Sequence, residues 1–319
     1  MMSMDFSAYI PFVEECFAGK PYTLQEVAGG RSYDSKMKVS CEGKDYIIKV
    51  IGGNSDEPCD RSRLAWYQAL CRVQKEDPCV LGPVWYGWAN DRVVTITEWI
   101  VGEQLNDAFD RDPELMIPLG KKVGKLLYKL HHQDFVRETL RAGNVDVAGK
   151  ITAATDRIVD EVKSLGLEFR GLDRALAYLE ENRSLISQER ASIMHNDIRP
   201  ENFIFSDGKI YIYDFDSGTV NDCYADFTYL SAISQGRYRP FSYAVIMSYF
   251  DGEIPREFWQ ANLFFSITKL LDYAIYKYRN SGKMIVNQAN NFMEVFDGYH
   301  TAVPCWWKEL EERYGADNF

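Results

Sequence analysis

Three features of the chain predict an α+β protein built as two lobes. Before about residue 100, short β-rich runs alternate with turn residues; beyond it, apolar residues recur at helical spacing along most of the chain. Inside that helical part lies one stretch of different character, Ser192 to Asp216, which reads as strand, loop, strand, turn, strand. The expected architecture is therefore a five-stranded antiparallel sheet with one helix over residues 1–100, and a larger, mainly helical lobe over 101–319.

The N-terminal elements follow in order. Phe6, Ile10, Val13 and Phe17 share one face of a short helix that ends near Gly19-Lys20-Pro21. Leu24 to Val27, an alternating run from Tyr33 to Cys41, and Tyr46 to Val50 predict a three-stranded meander, with Glu42-Gly43-Lys44 as its second turn. Gly29-Gly30 lies in the first connection. A glycine pair there either lets backbone N–H groups approach phosphate oxygens or simply closes a hairpin. Lys49 is more informative, because an ammonium within an apolar strand is costly to bury without an anion to meet it. Phosphate would be such an anion; the alternative is a lysine on an edge strand facing water. Asp60, Leu64, Tyr67 and Cys71 then share a helix face with Glu57 one turn earlier, and either acid is within reach of Lys49. Pro83 to Trp88 and Arg92 to Trp99 complete the sheet about the turn Asn90-Asp91. Glu98, Trp99 and Ile100 lead into Val101-Gly102, a hinge-like connection whose backbone groups are candidates to read the edge of a purine base.

In the helical lobe, Leu119, Val123, Leu126, Leu127 and Leu130 mark a long amphipathic helix from Leu115 to His132. Its terminal His131-His132 pair reads as packing or surface rather than metal ligands, since adjacent helical residues point in different directions. Arg137 to Lys150 reads as loop. Helices are expected at 153–165, 172–186, from Asp226 to Ser234, and at 241–250, 257–278, 285–296 and 306–314, with a loop over 217–225. Asp272 stands among Leu270, Leu271, Tyr273 and Ile275, where an acid faces either water or a cleft.

The stretch SIMHNDIRPENFIFSDGKIYIYDFD carries the chemistry. Asp197, Asn202, Asp214 and Asp216 crowd at strand ends, where their repulsion and desolvation call for a cation. Mg²⁺ takes oxygen ligands and is commonly held by one or two carboxylates together with substrate phosphates. Asn202 and Asp214 suit that task. Asp197, five residues before Asn202, is placed to face a hydroxyl nucleophile instead, which is the arrangement phosphoryl transfer needs. The competing reading is a hairpin with solvated turn acids.

Composition narrows the choice. At 319 residues with 46% hydrophobic and 14% aromatic content, the chain buries a sizeable core. A net charge of -11 argues against nucleic acid as a ligand and fits a cationic small molecule or plain solubility. Seven cysteines without a C-x-x-C pair indicate neither a disulfide framework nor a zinc ribbon and fit a reducing, cytoplasmic setting. No signal peptide or membrane-spanning run is legible.

Taken together, these residues resemble the aminoglycoside phosphotransferase and choline kinase group, small-molecule kinases with a protein-kinase-like fold, over nearly the whole chain. The resemblance rests on Gly29-Gly30, Lys49, the Glu98 to Ile100 linker, His195-x-Asp197-x-x-x-x-Asn202, and Asp214-Phe215-Asp216, in that order. It implies ATP or GTP as phosphate donor, Mg²⁺ on Asn202 and Asp214, Asp197 as catalytic base, His195 as a structuring residue and Asp226 as a brace for the loop. Asp216 and Asp272 are candidates to touch the acceptor. Two positions depart from the group. Arg63-Leu64-Ala65-Trp66 stands where many members open the helix with Glu, leaving Asp60 or Glu57 as the partner of Lys49. Asn196 replaces the common Gly, a substitution that left-handed backbone angles tolerate. Arg199 either lies near the phosphates or faces solvent. The expected activity is transfer of a γ-phosphoryl group to an alcohol of a small, cationic acceptor, aminoglycoside-like first and choline-like second. The alternatives are a nucleotide-binding pseudokinase or a kinase of a neutral metabolite such as homoserine or a sugar; the long aromatic helices and the lack of an A-P-E segment disfavour a protein kinase.

Overall fold

A computed structural model describes residues 6–27, 35–51, 63–233 and 236–315. The chain divides into two compact units, Met1–Leu105 with Asn202–Asp216, and Asn106–Glu201 with Ser217–Phe319.

The first unit is built on the antiparallel sheet that the alternating runs predict. β1 (Tyr22–Glu26), β2 (Ser35–Cys41), β3 (Lys44–Val50), β4 (Pro83–Ala89) and β5 (Arg92–Glu98) stand in the order β1-β2-β3-β5-β4. Its tight turns take positive φ at both central positions, Glu42 and Gly43 at 49° and 77°, Asn90 and Asp91 at 47° and 58°, with Gly, Asn and Asp suited to it. Helix α1 (Ile10–Phe17) lays Val13 and Phe17 on one face of the sheet, against Val39, Ile48, Val50, Val94 and Ile96. α2 (Arg63–Glu76) buries Trp66, Tyr67, Leu70 and Val73.

A segment distant in sequence completes this unit. β6 (Glu103–Gln104) pairs with β8 (Phe203–Ser206), which forms a hairpin with β9 (Lys209–Ile212) through the Asp207-Gly208 turn. Leu81 N–H donates to the Ile212 carbonyl at 2.9 Å, and Ile212 N–H to that of Cys79 at 2.9 Å. Gly102 permits the approach: a Cβ there would lie 2.5 Å from Ile204 Cγ2 and 2.7 Å from the Phe205 carbonyl oxygen.

The second unit is mainly helical: α3 (Leu105–Arg111) at its start, α4 (Met116–His131), α5 (Asp134–Ala142), α6 (Val147–Ser164), α7 (Leu172–Glu181), α8 (Arg239–Tyr249), α9 (Arg256–Ser281), α10 (Val286–Val295) and α11 (Trp307–Tyr314). A two-stranded ribbon, β7 (Ala191–Met194) with β10 (Thr219–Asp222), leads into and out of the central motif. No helix among the described residues is long and apolar enough to cross a membrane.

Three expectations need correction here. Residues 137–150 are not loop: α5 occupies 134–142, and Asp146 caps α6 by accepting from Gly149 N–H at 2.7 Å. α5 is short and buries only Phe135 and Val136, too few to register as a periodic stripe. The expected loop after Asp216 contains β10, hidden by its polar residues. The helix expected from Asp226 is instead a tight 3-10 turn over 223–227 and a wider π-helical turn over 229–233, followed by α8.

α4 and α8 pack closely because α4 carries Gly120 and Gly124 on the shared face. A Cβ on Gly124 would stand 2.4 Å from the Val245 carbonyl oxygen and 2.9 Å from Ser248 Cβ. Ala gains about 1 kcal/mol of helix propensity over Gly, but forcing atoms into a packed interface costs about 1–3 kcal/mol. Because the obstacle is backbone, the steric cost should win. Gly124→Ala is expected to lower the denaturation midpoint, and an unchanged or raised midpoint would show that the helices can separate freely.

Candidate active site

Lys49 sits on β3, a central strand, with Lys36 of β2 and Thr95 of β5 as its register partners. The edge-strand reading of this lysine therefore fails. Its side chain is only 10% exposed, and Nζ donates to Asp214 Oδ1 at 2.6 Å and to Asp216 Oδ2. The expected partners Glu57 and Asp60 lie outside the described residues, as do Gly29 and Gly30.

The β8–β9 hairpin explains the wide spacing between Asn202 and Asp214. Phe203 pairs with Ile212, and Tyr213 N–H donates to the Asn202 carbonyl at 3.2 Å, so both residues leave the same end of the hairpin. Asp214 adopts φ 67°, and Asn202 is buried. Burial alone raises the Asp214 carboxyl, but the charge and hydrogen bond of Lys49 overcome it, with help from Asp216 and Lys36, and hold it down to about 2. The donors gathered here are an ionised carboxylate, a second carboxylate and an amide, hard oxygen ligands of the kind Mg²⁺ selects. Among the described residues no cluster of three or more His, Cys, Asp or Glu could hold a metal alone. An ion that completes its shell with phosphates and water needs no such cluster.

The expected base-binding linker continues β5. Glu98 pairs with Tyr46 and lies 3.6 Å from Lys44 Nζ; Trp99 N–H donates to the Asp45 carbonyl at 2.9 Å, while its exposed ring has Lys38 Nζ 5.6 Å from its centroid. Ile100 follows at intermediate burial.

In the second unit, the fully buried β7 delivers His195, with no exposed surface, to the loop that carries Asp197. Asn196 takes φ 67°, the left-handed conformation that its replacement of Gly requires. Asp226 braces both residues: its carboxylate accepts from His195 N–H at 2.9 Å and Asn196 N–H at 2.5 Å. His131 Nε2 lies 3.0 Å from the same carboxylate, and His131 Nδ1 lies 3.0 Å from the Tyr249 hydroxyl. Burial pushes the Asp226 carboxyl up, yet hydrogen bonding from His131 and the nearby imidazoles hold it below the ordinary range. Thus His131 is a buried member of the loop's support, a role its tandem position concealed.

Asp197 N–H donates to His195 Nδ1 at 3.2 Å, and Arg199 Nε donates to Asp197 Oδ1 at 2.8 Å. Arg199 also lies over the Tyr229 ring, 5.6 Å from its centroid. Lys269 of α9 donates to the Asn196 carbonyl at 3.1 Å; a single lysine in an aromatic helix gave no signal in the sequence. Asp272 lies one turn on, exposed, with its carboxyl raised by partial burial and by Glu161 of α6.

Acid should report the Lys49 contact. Because Asp214 is depressed in the folded chain, its contribution to stability is complete above the ordinary 3.8 and is lost as pH falls through about 2. Denaturant unfolding of the parent should show this loss, and Asp214→Asn should show less of it. Identical acid profiles would mean that Lys49 does not hold the carboxylate in solution.

The sequence matches the model of the phosphotransferase enzyme family over residues 23–258. Comparison with curated proteins gives no match. Among solved structures, the streptomycin–ATP–APH(2")-IIa ternary complex aligns with TM-score 0.53 and 17% identity, over 88% of this chain and 96% of that one. A GDP complex of an aminoglycoside 2'-phosphotransferase-IIIa mutant gives 0.58 and 14%, over 98% and 99%. A choline/ethanolamine kinase family protein from Mesorhizobium loti gives 0.59 and 15%, over 97% and 99%. At these identities the structures establish the shared protein-kinase-like fold, and the match over most of the sequence establishes more: the chain belongs to the phosphotransferase enzyme family and is a phosphotransferase.

Proposed function

We propose that this phosphotransferase moves the γ-phosphoryl group of ATP or GTP to a hydroxyl of a small molecule. The observation that carries the reading is the buried Lys49 ammonium on a central strand, bonded to the two carboxylates of the Asp214-Phe215-Asp216 segment. Its charge suits nucleotide phosphates, and the Glu98 to Ile100 linker suits the base. The residue 1–100 lobe, with Gly29 and Gly30, would then bind nucleotide, while 101–319 would supply catalysis and acceptor contacts. ATP and GDP in the names of two similar structures support a nucleotide donor without choosing between adenine and guanine.

Mg²⁺, held by Asn202 and Asp214, would neutralise charge on the phosphates. Asp197 accepts the proton of the acceptor hydroxyl as its oxygen forms a bond to the γ-phosphorus and the bond from that phosphorus to the β-bridging oxygen breaks. For this, Arg199 must release the Asp197 oxygen it occupies, and phosphate gives its guanidinium another anion to bind. Asp197→Asn should reduce turnover by roughly 10²–10⁴ while nucleotide affinity, read by calorimetry, stays close to the parent's. Parental turnover in that variant would remove Asp197 from the role.

For the acceptor, the reading is a cationic hydroxyl compound, aminoglycoside-like or choline-like. Asp272 stands near Glu161, itself paired with Arg279 at 2.7 Å, and Tyr273 and Tyr276 are exposed beside Asp272. A second reading, a neutral metabolite, is favoured by the two cations, Arg199 and Lys269, that attend the catalytic loop. Nucleotide consumption across aminoglycosides, choline, homoserine and sugars separates the two. With a cationic acceptor, its apparent KM should rise with ionic strength more steeply than the nucleotide's; turnover confined to neutral acceptors establishes the second reading.

A further inference from the structure

We propose that Lys269 is a positioning residue that fixes the peptide preceding the catalytic aspartate, an inference resting on the assignment of Asp197 as the base. The Asn196–Asp197 peptide is gripped from both sides. Its carbonyl accepts from Lys269 Nζ at 3.1 Å, and its N–H donates to His195 Nδ1 at 3.2 Å. The preceding peptide is held by Asp226, through Asn196 N–H at 2.5 Å, and the Asn196 side chain donates to the Ser217 carbonyl at 3.3 Å. Between the two peptides stands Asn196 at φ 67°, a left-handed conformation that Asn adopts more readily than most non-glycine residues. With the first peptide fixed, the remaining freedom is rotation about the Asn196 Cα–C bond. That rotation turns the peptide plane from which Asp197 departs, and Lys269 stops it.

Lys269 gains little for the fold in return. It lies between Thr268 and Leu270 on α9, where Phe264, Phe265, Ile267 and Leu271 are buried, and burial lowers its pKa from 10.5 despite the attraction of Asp226 and Asp197. The charged groups facing it are Asp226, Asp197, Arg199 and, on its own helix, Asp272. A methionine of similar length would fill the same space without the cost of dehydrating an ammonium. What methionine cannot do is donate to the Asn196 carbonyl. α9 also carries Asp272 one turn on, so the helix proposed to meet the acceptor is tied by one side chain to the peptide that orients the base.

The test compares Lys269→Met, Lys269→Arg and Asp197→Asn in the full chain, following consumption of Mg-ATP and Mg-GTP with the acceptor panel and with water alone. Lys269→Met should lose roughly 100-fold in kcat, the scale set by misplacing a catalytic group by about 1 Å, with nucleotide KM within about twofold of the parent. Lys269→Arg should restore much of kcat, because a guanidinium still donates to the carbonyl. The parent should also lose kcat as pH rises toward a value below 10.5, where the ammonium deprotonates. That alkaline limb should be absent in Lys269→Arg, whose charge persists. Parental kcat in Lys269→Met, or an identical alkaline limb in Lys269→Arg, overturns the proposal; should the methionine variant fail to fold, the arginine profile decides alone. If Asp197→Asn keeps full activity, the assignment of the base fails instead, whatever Lys269 does.

Discussion

A carboxylate with no exposed side-chain surface underlies the loop that carries Asp197. Asp226 is buried where an uncompensated charge would cost several kcal/mol, and the chain offsets that cost with two backbone N–H groups and an imidazole. Each of those donors belongs to something that must be placed: His195 and Asn196 in the loop, and His131 at the end of α4. Ser192 extends the arrangement by donating its hydroxyl to the His131 carbonyl at 2.6 Å, joining β7 to the same helix end. An apolar residue at 226 would take the carboxylate acceptor from the N–H groups of His195 and Asn196 and the partner from His131 Nε2. The ion is therefore best understood as the means by which backbone in a left-handed conformation is kept in one shape.

The first unit solves a related problem with the opposite charge. Lys49 brings an ammonium into a sheet core, and two aspartates from a hairpin distant in sequence meet it. The hairpin reaches that place because β6 and the 79–81 segment offer it strand edges and because Gly102 leaves room for Ile204. Charge pairing and strand pairing thus select the same register. A one-residue slip of β8 on β9 would turn alternate side chains to the wrong face and move Asn202 away from Asp214.

Much of this was legible because it is local. The alternation from Ser35 to Cys41, the turn residues at 42–43 and 90–91, and the 3.6-residue stripe of α4 each state their structure within a few positions. The His195 to Asn202 spacing and the tolerance of Asn196 for positive φ are of the same kind. What escaped depends on contacts across many residues. Nothing near Lys49 indicates that Asp214 and Asp216 meet it, nothing in His131-His132 marks one member as the partner of Asp226, and Lys269 is one lysine in a helix chosen for its aromatic packing. α5 and β10 were missed for a simpler reason: each is short, and too few of its residues are apolar to set a period.

If Asp197 is the base, as proposed, the charge of the acceptor depends on side chains a few ångströms from it, and the chain's overall charge of -11 is a weak guide. Charges farther from the loop than a Debye length, about 8 Å at physiological salt, are largely screened when exposed. Close to Asp197 the balance differs from the average, because Arg199 and Lys269 are both there. Lys269 is committed to the Asn196 carbonyl. The negative charge left near the loop is then that of Asp197 itself, with Asp272 farther along α9 and Glu161 paired with Arg279. On the proposed reading of a cationic acceptor, a cation gains most when its hydroxyl is held at Asp197 and its positive groups extend toward α9, so the spacing between hydroxyl and charge, more than total charge, is what should distinguish a good acceptor from a poor one.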